Sequence, residues 1–249
     1  MPTTTVYIPT EDGQADAFAA SPDQGGRHPG VLLYMDALGL RAELEDKARE
    51  LAAHGYYVLV PNVYYRHGAA PVFDLPAHIS QEDRPVVFGR IAPLVRAHTA
   101  DRVLRDADAY LDFLTTRPEV GPGPVGAVGY CMGAALALRT ALAHPDRVAA
   151  VAGFHPGLVV TDQDDSPHRL LSTLTAEVHL GLAEGDLTPG ELAELRQGLD
   201  ATGVAYTTET YPGTQHGFTM SDTDAFHADG LQRHWDRLLP LLRRTLTAG

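Results

Sequence analysis

The chain has 249 residues, 44% hydrophobic and 20% charged, the composition of a globular protein long enough to bury one large core. With 32 acidic residues against 19 basic ones its formal net charge is −13, which argues against nucleic acid and against an anionic membrane as partners. A single cysteine excludes an internal disulfide, and no apolar run reaches the ~18 residues of a membrane span. The stretch from Met1 to Pro9 has neither a basic start nor an apolar core, so no signal peptide is expected and a cytoplasmic protein is. In chain order, residues 3–8 and 14–19 predict an edge hairpin around Asp12-Gly13. Residues 30–35 are a continuous apolar run, as a strand covered on both faces requires. Residues 42–54 place Leu44, Ala48, Leu51 and Ala52 at helical spacing and stop at Gly55. A second buried strand is predicted at 57–61, a Gly-, Pro-, His- and Asp-rich loop at 66–84, and helices at 86–98 and 99–116. Residues 124–128 predict a strand and 134–143 a helix of small residues. Strands at 148–154, 176–182 and 204–210 and a closing helix at 224–246 complete the set. Strands alternating with helices predict an α/β fold with a mainly parallel sheet. Without repeat or linker, residues 1–249 read as one domain, with 66–98 as a loop and helix segment over the site.

The only cysteine, Cys131, sits in Gly129-Tyr130-Cys131-Met132-Gly133 between the strand at 124–128 and the helix at 134–143. A nucleophile on a sharp strand-to-helix turn needs small flanking residues so that strand and helix pack closely. The following helix points its N-terminus at the sulfur, which favours the reactive thiolate. Downstream, a buried strand runs into Ala183-Glu184-Gly185-Asp186, and a proline at 189 opens a helix. A further strand reaches Tyr211-Pro212-Gly213 and delivers His216, followed by Gly217 and Phe218. The strand-turn-helix context favours a catalytic Cys131 over a small buried thiol, whereas Asp186 taken singly reads equally as a turn former or helix cap and His216 as a loop histidine. Together, in the order nucleophile, acid, histidine and each just after a strand, they predict a catalytic triad of an α/β-hydrolase.

At these residues the chain resembles the dienelactone hydrolase (carboxymethylenebutenolidase) family of α/β-hydrolases. Cysteine at the elbow is the specific feature, because most α/β-hydrolases use serine. The likeness extends to Tyr34-Met35-Asp36-Ala37-Leu38-Gly39-Leu40 and to Pro61-Asn62-Val63-Tyr64-Tyr65-Arg66. It implies an oxyanion hole from the backbone N–H groups of Met132 and Ala37. It implies that Asp36, one methylene shorter than the family's glutamate, modulates the thiol; the alternative is a cap on the helix near Ala42. Of the two arginines that hold the substrate carboxylate in the family, Arg66 matches one, and Met220 stands where the other is expected. Arg66 also reads as a plain surface charge. Tyr64, Tyr65 and Met220 are expected to make the pocket more apolar, and His155 either lines it or is a hydrogen-bonded structural histidine. His168, His227 and His234 read as structural or exposed.

With no His-Glu-x-x-His and no cysteine pair, no metal is expected, and no cofactor. The reading is a hydrolase of a small lactone or ester, monomeric or homodimeric, working through an acyl-enzyme. The alternatives are a thioesterase, an acyl-transfer or cyclisation enzyme of a biosynthetic pathway, and a non-catalytic binding protein on the same fold.

Overall fold

The computed structural model describes residues 1–246. The chain opens with the hairpin β1 (Thr3–Thr10) and β2 (Gly13–Ala20), then runs β3 (Gly30–Tyr34), α1 (Ala42–Ala53) and β4 (Tyr57–Pro61). After an irregular stretch come α2 (Arg84–Ala97) and α3 (Ala100–Thr115), then β5 (Val125–Tyr130), α4 (Gly133–Ala143) and β6 (Val148–Phe154). The last part is β7 (Glu177–Leu182), α5 (Pro189–Thr202), β8 (Tyr206–Thr210) and α6 (Ala228–Leu246). The strands form one sheet in the order β1-β2-β4-β3-β5-β6-β7-β8. Pairings of β2 with β1 and with β4 are antiparallel, and the five from β4 to β8 are parallel.

Every residue of β3, β4 and β5 is buried, which is why these strands read as unbroken apolar runs. The helices supply the cover. On α6, His234, Leu238, Leu241 and Leu242 recur at three- and four-residue spacing and are buried, while the arginines of the same helix are exposed. On α4 eight of the eleven residues are buried, and the small side chains let it lie close to the sheet. Several boundaries differ from expectation, two of them at helix starts. The helix α2 begins at Arg84, where Pro85 suits a first helical turn. The closing helix begins at Ala228 rather than 224, because the backbone of the preceding turn is already engaged. Ile79 donates its N–H to the Asp222 carbonyl and accepts from the Asp224 N–H.

Parallel strands all end at the same edge. Residues just beyond β3, β5, β6, β7 and β8 therefore meet there: Asp36, Cys131, His155, Asp186 and His216.

Candidate active site

Cys131 turns the chain from β5 into α4 with a φ of 53°, a left-handed conformation that a non-glycine residue adopts only where the surroundings enforce it. Its neighbours enforce it. A Cβ on Gly129 would collide with the Gly133 carbonyl, and one on Gly133 would lie 2.6 Å from the Met35 oxygen. The turn is fixed by Cys131 N–H donating to Phe154 O (3.1 Å) and by Gly157 N–H donating to Cys131 O (2.9 Å). Cys131 is half-buried and lines a cleft together with Asp36, Leu38, Ile79, Arg84, Phe88, His155, His216 and Met220.

His216 stands in the same cleft, with Nδ1 2.7 Å from Oδ1 of Asp186. The Asp186 side chain is only 1% exposed, and its other oxygen accepts the Ala183 N–H at 2.6 Å. Burial disfavours charge on His216. Hydrogen bonds to Asp186 and to Cys131, and the charges of both, outweigh it and raise the imidazole to about 10. The structure thus brings Cys131, His216 and Asp186 together, the acid on one ring nitrogen and the sulfur within reach of the ring.

The N–H groups of Met132 and Ala37 donate to no protein acceptor among the described residues. Tyr64 ties their two segments together, donating to the Ala37 carbonyl at 3.1 Å and lying 3.4 Å from the Met132 sulfur. Asp36 lines the cleft, but its carboxylate is committed elsewhere. Oδ1 accepts from Leu38 N–H (3.0 Å) and Arg41 (2.7 Å), and Oδ2 accepts from Arg41 (3.0 Å). Through these bonds it holds the turn that carries Ala37.

Tyr65 and Arg66 are not brought to the cleft. Asp106 of α3 is buried, and a buried carboxylate requires a partner. Arg66 supplies it with two bonds of 2.8 and 2.9 Å and also pairs with Asp12, while Tyr65 donates to Asp106 at 3.0 Å. The expected contact of these two residues with substrate is therefore withdrawn. Met220 does line the cleft and is 1% exposed. His155 lines it too, fully buried, with Nε2 2.8 Å from Thr219 Oγ1; burial first, then the charges of His216 and Lys47, keep it neutral.

The residue that sequence reasoning missed is Arg84. Its guanidinium lies at the cleft, donates to the His216 carbonyl at 3.1 Å and stacks over Phe88 at 5.3 Å. Among the described residues it forms no ion pair, whereas the two carboxylates of the cleft, Asp36 and Asp224, are matched to Arg41 and His78. No motif marked it, because its position depends on how residues 79–84 fold back onto the His216 loop. Among the described residues no cluster of metal-binding side chains occurs and no helix is long and apolar enough to cross a membrane.

Sheet order, elbow and the position of the histidine beyond the last strand define an α/β-hydrolase. The model of the dienelactone hydrolase family matches residues 15–246, and the chain belongs to that family of lactone and ester hydrolases. It is 24% identical to the "Putative carboxymethylenebutenolidase" of Synechocystis sp., over 98% of this chain and 97% of the other. It is 26% identical to the "Probable 2-oxo-3-(5-oxofuran-2-ylidene)propanoate lactonase" of Bradyrhizobium sp., over 96% and 92%. A solved structure described as "Putative Dienelactone Hydrolase from Klebsiella pneumoniae" superposes with a TM-score of 0.84, at 21% identity and 98% coverage of both chains.

Proposed function

We propose that this chain hydrolyses a small carboxylic ester or lactone by covalent catalysis at Cys131, with His216 and Asp186 completing the triad and no cofactor. The observation that carries this reading is the 2.7 Å contact of His216 with the buried Asp186, beside a sulfur on a strained elbow. An imidazole raised to about 10 is an imidazolium at neutral pH, and in this reading Cys131 reacts as the thiolate beside it.

The thiolate attacks the carbonyl carbon, forming a C–S bond as the π electrons move to oxygen. The N–H groups of Met132 and Ala37 receive that oxyanion, and each such donor is typically worth ~2.7–4 kcal/mol in the transition state. Collapse breaks the acyl C–O bond, and His216 gives its proton to the departing alkoxide, which in a lactone stays tethered to the acyl chain. With the thiolate consumed, neutral His216 takes a proton from water, and the hydroxide attacks the thioester. The second collapse releases the acid and restores thiolate and imidazolium.

Arg84 gives the cleft a cation with free donors. A lactone carrying a carboxylate, the kind that the name of the Bradyrhizobium relative describes, suits a cleft lined by Arg84 together with Met220, Phe88 and Ile79. The test is covalent trapping with p-nitrophenyl acetate and acid quench. An acetyl adduct is expected on the peptide containing Cys131, absent in Cys131→Ala, with hydrolysis abolished in that variant. Turnover within tenfold of wild type in Cys131→Ala would sink the mechanism.

A further inference from the structure

We propose that Lys47, together with Glu43, is a positioning residue for the triad: a buried ammonium behind the site that holds the His216 loop against the nucleophile strand. This role presupposes the triad proposed above.

Lys47 and Glu43 lie one turn apart on α1, 4% and 9% exposed, with Nζ 2.7 Å from Oε1. Burial pushes the ammonium's pKa down, and the Glu43 carboxylate opposes that. Both charges have further partners at the site. Nζ donates to the Thr219 carbonyl at 2.7 Å, three residues beyond His216. It also lies 5.5 Å from the ring centre of Tyr130, the residue before Cys131. Glu43 accepts from the hydroxyl of Ser221. From Thr219 the contact continues inward: its hydroxyl meets His155 Nε2 at 2.8 Å, and the His155 ring packs edge-to-face on His216 at 5.2 Å. A chain of direct contacts therefore runs from Lys47 through Thr219 and His155 to the imidazole of His216.

Stability alone does not explain the pair. Desolvating two charges roughly cancels their attraction, and apolar residues of similar volume often do as well. What apolar residues cannot do is hold a particular carbonyl at a fixed place. Displacing a reacting group by about 1 Å costs on the order of a hundredfold in rate.

The discriminating protein is the double variant Glu43→Gln/Lys47→Met, which removes both charges at nearly constant volume. Its urea midpoint and circular dichroism are expected to stay near wild type, because no unpaired charge is left inside. With p-nitrophenyl acetate, kcat is expected to fall tenfold or more at unchanged KM. The alkaline limb of kcat/KM is expected to move to lower pH, because a loosened His216 is held less firmly against Asp186 and Cys131. Thr219→Val keeps the ion pair and cuts only the link to His155. It is expected to show the same two changes, and it carries the test if the double variant does not fold. A folded variant with normal kcat and an unmoved limb overturns the proposal, as does a loss confined to stability or to KM. Those results would leave the triad standing, whereas an active Cys131→Ala would remove the triad itself.

Discussion

A buried carboxylate decides what Arg66 does. Asp106 is 2% exposed, and removing its partner leaves a charge inside the protein, which typically costs about 3–5 kcal/mol. Arg66→Ala is therefore expected to lower the urea midpoint strongly while the remaining folded enzyme keeps its substrate preference. Arg84→Ala is expected to do the reverse. A charge-assisted hydrogen bond is worth roughly 1.5–3 kcal/mol, so kcat/KM for an anionic ester should fall about ten- to a hundredfold, and that of its neutral analogue hardly at all. Steady-state kinetics on one ester pair, acid and amide, measures both; equal losses on the two substrates in Arg84→Ala would make Arg84 a prop for the His216 loop. The imidazole of His216 gives a pH prediction. Its pKa is raised, so the proton that the proposed mechanism gives to the leaving alkoxide is present at neutral pH and is lost as pH rises through about 10. Asp186→Asn removes one of the groups that raise it, so the alkaline limb of kcat/KM should move to lower pH. A limb that stays in place would mean that it reports another group.

At the scale of elements, the elbow and the helix α2 respond oppositely to the same substitution. A methyl on Gly133 meets the Met35 carbonyl at 2.6 Å, a backbone atom that cannot swing aside, so Gly133→Ala is expected to destabilise the fold and to abolish activity by moving Cys131. Gly89 is exposed within α2 and a Cβ there meets nothing within 4 Å, so Gly89→Ala should raise stability by about 0.5–1 kcal/mol. Thermal unfolding of the two variants checks the contrast. These elements also show what the sequence can and cannot say. Strands β4 and β6 stand at the bounds their apolar runs predict, because burial on both faces writes itself into consecutive residues. The hairpin is longer than predicted at both strands, since pairing at the edge continues to Thr10 against Gly13 at the turn and to Ala20 against Thr3 at the other end. That Cys131, Asp186 and His216 meet at one place was legible because a parallel sheet delivers its strand ends to one edge in a known order. Arg66, Arg84 and Lys47 were not. Where each charge goes depends on which opposite charge or free carbonyl the folded chain sets beside it, and those partners lie 40, 132 and 172 positions away in the sequence.

Over the whole molecule the charge works against the site. A net charge of −13 repels an anionic substrate at long range, whereas Arg84 attracts it only at the cleft. The two effects have different reach, and salt separates them. At about 0.01 M ionic strength the Debye length is roughly 30 Å, comparable to the protein, and at about 0.15 M it is roughly 8 Å. Screening removes the general repulsion first, while the half-buried Arg84, in contact with its ligand, is screened much less. Raising the ionic strength over that range should therefore increase kcat/KM for the anionic ester and leave the neutral analogue unchanged. In Arg84→Ala the increase should persist from a lower starting value, because the repulsion belongs to the whole surface and not to the cleft. A decrease with salt in the wild type would mean that the local attraction governs encounter, and that the acidic residues lie on faces the substrate does not approach.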